Sequence, residues 1–262
     1  RCALAVLFLF LMSALVPGKE DFWSGWKNPA LWKSGLICGT ALFVASSLQQ
    51  IGLMYTDAGK AGFLTAMYIV IVPFLGLVIG HKPGRNAVMS LIPAVVGLYL
   101  LSCTGLDGIN KGDVLLLAGA GAFSVQILLI DLHCGGLDAL KLNCIQALMV
   151  VLLSIPCALF TEAIEPQRIV SCWLPLGYAG ILSMGVAYSL QIIGQQRVAP
   201  AAAALLMSLE SVFAALFGWL LLHETMTGTE LLGCGLMFSA VILSQMPERK
   251  HNAASLPLEQ KC

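Results

Sequence analysis

Residues 44–52 read VASSLQQIG and residues 186–194 read VAYSLQIIG, so seven of nine positions recur at an offset of 142 residues. Without a gap, the same offset pairs Cys2 with Cys144, Gly35 with Gly177, Ala61 with Ala203, Gly76 with Gly218, His81 with His223 and Ser102 with Ser244. A duplicated unit this long lies outside the short periods of solenoids and propellers. It predicts two similar half-domains.

Composition says what the halves contain. Hydrophobic residues make up 58% of the 262-residue chain and charged residues only 11%, less than half the charge of an ordinary soluble domain. With a mean hydropathy of +0.88, the chain reads as an all-α integral membrane protein. A formal net charge of zero provides no global field for nucleic acid. The nine cysteines fall mostly inside apolar runs, as at Cys2, Cys38, Cys144, Cys157 and Cys234, with no CxxC pair. They read as small packing residues rather than metal ligands or a disulfide framework.

Apolar runs long enough to cross the hydrocarbon layer are expected at 32–54, 60–80 and 87–104, then at 113–131, 142–160, 173–195, 200–222 and 229–246. Residues 2–16 are apolar too, and the offset lands them on 144–158, inside a spanning run, so they read as a span whose start is cut off. That makes nine spans. The partner of 113–131 would lie upstream of Arg1, so ten are expected in the intact protein. The expected organisation is a first repeat over 1–106 lacking its first helix, a second repeat over 112–246, and a polar tail over 247–262.

Alternate loops differ in basic residues. One set, with the tail, holds ten (Lys19, Lys27, Lys33, Lys82, Arg85, Lys141, Arg197, Arg249, Lys250, Lys261), and the other holds four (Arg1, Lys60, Lys111, Arg168). The positive-inside rule then places the C-terminus in the cytoplasm. Five spans per repeat is an odd number, so the halves enter the membrane from opposite sides. Such inverted repeats typify secondary transporters that open alternately to each side around a midplane site.

Few strongly polar groups fall deep in the spans, where an uncompensated charge costs several kcal/mol. Glu210 stands in the middle of the run 200–222, flanked by Ser208 and Ser211, with no cation within a helical turn. Two readings stay open for it: a carboxylate that binds a cation or carries a proton, or a structural acid bonded to a neighbouring helix. Tyr68 holds the offset-equivalent position, with Thr65 one turn earlier on the same face. Two-fold symmetry would bring Tyr68 and Glu210 to the central axis at similar depth.

Gln49 and Gln191 are the repeated glutamines of the duplicated motif and lie nearer a helix end, whereas Gln126 is mid-span in 113–131. The candidate substrate-binding or coupling set is therefore Glu210, Tyr68, Thr65, Gln126, Gln49, Gln191, Ser208 and Ser211. Its expected partners are a small-molecule substrate, the lipid bilayer and a proton or cation. No cofactor, metal or catalytic residue is expected. Pro73, inside the span 60–80, lacks an N–H and is expected to kink that helix.

The stretch SLESVFAALFGWLLLHETMTGTELLGCGLMFSAVILS (208–244) resembles the EamA-type domain of the drug/metabolite transporter superfamily. LQQIGLMYTDAGKAGFLTAMYIVIVPF (48–74) resembles the same domain in its first copy, and the likeness runs over about 1–246. Of the family's mid-helix Glu-Pro-Val-Phe, this chain keeps Glu210, Val212 and Phe213 and carries Ser211 in place of the proline; of its Gly-Glu, His223 replaces the glycine before Glu224. The resemblance implies two five-helix inverted repeats, both termini cytoplasmic, and transport of small metabolites or drugs, often outward. It also implies a multi-pass protein of the cell membrane, of the bacterial cytoplasmic kind.

A membrane enzyme is the competing reading, but the chain has no HExxH, no GxSxG and no paired intramembrane aspartates. A channel or assembly partner is the third, and no ring of like charges or carbonyl filter motif marks one.

Overall fold

The structure, a computed structural model, describes residues 1–15, 22–56, 58–81, 83–102, 110–161, 167, 171–222 and 227–246. The tail 247–262 and the His223–Glu224 pair lie outside them. All regular structure among the described residues is helical: α1 (Cys2–Leu15), α2 (Phe22–Trp26), α3 (Pro29–Gly52), α4 (Ala58–Ala66), α5 (Tyr68–Ile79), α6 (Arg85–Ser102), α7 (Lys111–His133), α8 (Ala139–Thr161), α9 (Trp173–Gln195), α10 (Pro200–Leu222) and α11 (Gly228–Gln245). Seven helical segments are long and apolar enough to cross a membrane, with α4 and α5 together forming one, and Cys2–Leu15 and Arg85–Leu101 are shorter apolar helices. All nine expected runs are thus helical.

Local chemistry sets the helix ends. Asn28 accepts from Ala30 N at the start of α3, where Pro29 takes the first position and needs no donor. Reciprocal capping boxes start α7 (Asn110 with Asp113) and α11 (Thr227 with Glu230). Gly80 closes α5 at φ 93°, a left-handed conformation that favours glycine, and lets His81 N reach Gly76 O at 2.8 Å.

Two spans are irregular. The run 60–79 is interrupted at Met67, not at Pro73: Val70 N and Ile71 N both bond Met67 O, at 3.0 and 3.2 Å. Pro73 sits within α5, and its ring acts on the turn before it by opposing the carbonyl four residues back. Tyr68 is the first residue after the interruption. In α9, residues 178–187 form wide π-type turns. Asn143 Nδ2 on α8 donates to Met184 O and Ser189 Oγ there, both at 2.9 Å, and Ser189 Oγ donates to Gly185 O at 2.7 Å. By contrast α10 runs unbroken through Ser211, as expected where the proline is missing.

Packing follows the sequence offset. α1 packs on α8, α5 on α10 and α6 on α11, each helix on its own equivalent, and α3 packs on α8 as α9 packs on α1. Between apolar helices in lipid the drive is close van der Waals contact, so small residues mark the crossings. A Cβ on Gly97 would stand 2.8 Å from Gly233 O, and one on Gly233 2.7 Å from Gly97 O.

The halves differ where α7 lies. It covers Ala45, Leu48 and Gly52 of α3, whereas the equivalents Ala187, Leu190 and Gly194 on α9 are exposed. Tyr68 is buried (7% exposed) in a cluster with Ile127 and Leu128 of α7, while its equivalent Glu210 is exposed.

Candidate functional site

Glu210 sits mid-way along α10, and its side chain leaves the helix opposite the stripe formed by Ala201, Leu205, Ser208 and Val212, which is buried. Among the described residues its carboxylate makes no hydrogen bond and no ion pair. It lies within electrostatic reach of two phenols, Tyr68 on α5 and Tyr188 on α9. An acid within electrostatic reach of two hydroxyl-bearing rings can hold a cation or an amino group, since an aromatic face and a carboxylate both attract positive charge.

Thr65 is buried one turn before Tyr68, and its Oγ1 has no hydrogen-bond partner. Phe123 of α7 packs against both the cluster that contains Tyr68 and the one that Tyr188 borders. One turn further along α7, Gln126 is 1% exposed, and neither its Nε2 nor its Oε1 is bonded.

The other expected residues are placed differently. Ser208 is buried and its hydroxyl donates to Leu205 O at 2.7 Å within its own helix. Ser211, Gln49 and Gln191 are half-buried, the glutamines near the ends of α3 and α9. Tyr188 is the site neighbour that the sequence set omits, although it stands inside the duplicated motif. Asn143 and Gln146, both buried on α8, are omitted too; their signal was a pair of polar residues inside an otherwise apolar run.

An ion pair and a histidine–aspartate contact join the span 60–81 to α7 at its opposite ends. Lys60 Nζ meets Asp113 Oδ2 at 2.6 Å, and Asp113 Oδ1 also accepts from Thr56 Oγ1 at 3.1 Å. His81 Nδ1 lies 3.3 Å from Asp131 Oδ2.

A model of the EamA-like transporter family matches residues 1–103 and 110–246. An uncharacterized transporter of Archaeoglobus fulgidus is 33% identical over 223 residues, covering 85% of this chain and 70% of that protein. The threonine/homoserine exporter RhtA of Escherichia coli K12 is 30% identical over 167 residues, 62% of this chain and 55% of its own length, so the chain matches about half of that relative. One crystal structure superposes with a TM-score of 0.76 over 93% of this chain and 85% of the other, at 19% identity, a likeness of fold alone.

Proposed function

The chain belongs to the EamA-like transporter family, and from that premise we propose that it exports a small, amino-bearing metabolite by alternating access around Glu210. Membrane transport, rather than enzyme chemistry, is its role. The observation that carries the proposal is Glu210: an exposed carboxylate mid-span, without hydrogen bond or ion pair among the described residues, within electrostatic reach of Tyr68 and Tyr188. Such a group costs free energy in the membrane unless it serves a ligand or a proton.

In this reading the repeats, 1–106 and 112–246, have inverted topology, and the tail 247–262 is cytoplasmic in a multi-pass protein of the cell membrane. The ten-to-four bias of basic residues between loop sets supports that orientation. The carboxylate exchanges a substrate amino group for a proton or cation, which couples export to an ion gradient. The name of the RhtA relative directs the first trial to small hydroxy amino acids.

The test is efflux of labelled L-threonine from preloaded cells expressing the full-length protein, with and without Glu210→Gln. Faster efflux that saturates with internal substrate and is lost in the variant supports the proposal. Efflux equal to that of empty-vector cells for a full panel of amino acids and amines removes it.

A further inference from the structure

Two carboxamides deep in the bundle have no partner among the described residues. Gln126 on α7 and Gln146 on α8 are 1% and 0% exposed, and none of their four amide heavy atoms is bonded. Asn143 Oδ1, one turn before Gln146, is unbonded as well. An unmatched buried amide costs free energy comparable to a lost hydrogen bond, and apolar surroundings supply no substitute. Packing alone does not favour such groups where leucine would fit.

The two glutamines share a depth. α7 meets α3 through Gly119, which lies against Ala45 and Gln49, and through His133 O, which accepts from Ser34 Oγ at 3.0 Å. Gln126 is midway between these contacts, level with the centre of α3. At that level α3 meets α8, where a Cβ on Gly39 would stand 2.9 Å from Gln146 O. Phe123, one turn from Gln126, packs against the cluster that contains Tyr68 and against the one that Tyr188 borders.

We infer that Gln126 and Gln146 form an uncharged subsite for the carboxyl group of the solute, while Glu210 holds the amino end. A carboxylate takes the two Nε2 donors. The inference rests on the reading of Glu210 given above and extends it: the solute has two polar ends and the site addresses them separately.

The experiment compares L-serine with ethanolamine, which lacks only the carboxyl group, as labelled probes for uptake into proteoliposomes containing the full-length protein. Gln126→Leu with Gln146→Met should raise KM for L-serine about 10-fold or more, the loss of at least one good hydrogen bond to a charged group. KM for ethanolamine should stay within about twofold, because that probe makes no carboxylate contact. The melting temperature without substrate should not fall. Unchanged KM for both probes, with Glu210→Gln still abolishing both fluxes, refutes the subsite and leaves the Glu210 reading intact. Normal flux of both probes through Glu210→Gln removes that reading and the subsite with it. Loss of both fluxes in the double glutamine variant, with a lowered melting temperature, assigns the amides to packing and overturns the inference.

Discussion

Lys60 and Asp113 meet at 2.6 Å at one end of the α4–α7 contact, with the Asp113 side chain only 4% exposed and held by Thr56 and the Asn110 backbone N–H besides. Lys60 belongs to the loop set with four basic residues. Because Asp113 also closes the capping box of α7, one carboxylate fixes both the start of that helix and its docking on the first half.

Replacing Asp113 by Asn removes the charge but leaves Lys60 part-buried, which costs about 3 kcal/mol for a pair of this burial. The more open His81–Asp131 pair, at 42% and 24% exposure, is worth about 1 kcal/mol or less. Thermal unfolding in detergent should therefore show Asp113→Asn well below Asp131→Asn. Equal melting temperatures would contradict the assignment.

The α6–α11 crossing makes a second prediction with its own control. Gly97→Ala and Gly233→Ala each force a methyl group within 3 Å of a backbone oxygen, so each should destabilise by about 1–3 kcal/mol. Gly235, one position from the seam of the same helix, has nothing within 4 Å of a Cβ. Gly235→Ala should be neutral or slightly stabilising, because alanine favours the helix. Denaturant titration of the three variants checks the order.

Asn143 ties α8 to the wide turns of α9. Asn143→Ala strips a buried donor from Met184 O and Ser189 Oγ and should cost about 1–3 kcal/mol. Ser244 bonds Val241 O in its own helix and otherwise accepts only a long bond from exposed Gln245 Nε2 at 3.5 Å, so Ser244→Ala should stay within about 0.5 kcal/mol. If the two variants unfold alike, the network does not hold α9 in place.

The spans and the duplicated architecture were legible because hydropathy and the 142-residue offset are properties of the chain itself. The faces were not. In lipid the outward side of a helix is as apolar as the inward side, so the apolar positions of the run 142–160 do not say which of them point inward, and only the polar pair Asn143 and Gln146 marks the buried face. The interruption at Met67 was not legible, because neither proline nor glycine stands among residues 63–67. Tyr188 was left out of the candidate set because it lies on another helix than Glu210, and sequence spacing does not encode which helices approach. Glu210 and Tyr68 were singled out because a mid-span acid is rare and the offset names its equivalent.

That acid is where the account is decided. Glu210→Gln is nearly isosteric and removes only the charge, so the variant should insert and melt like wild type. Efflux of L-threonine should fall at least about 100-fold, equivalent to roughly 2.7 kcal/mol, and Glu210→Asp should keep partial activity because the carboxylate is retained one methylene short. The deciding measurement is the initial rate of efflux by Glu210→Gln across the physiological pH range, normalised to protein in the membrane. A rate near background at every pH is the predicted result; a wild-type rate with wild-type pH dependence would show that Glu210 is a structural residue and contradict the account.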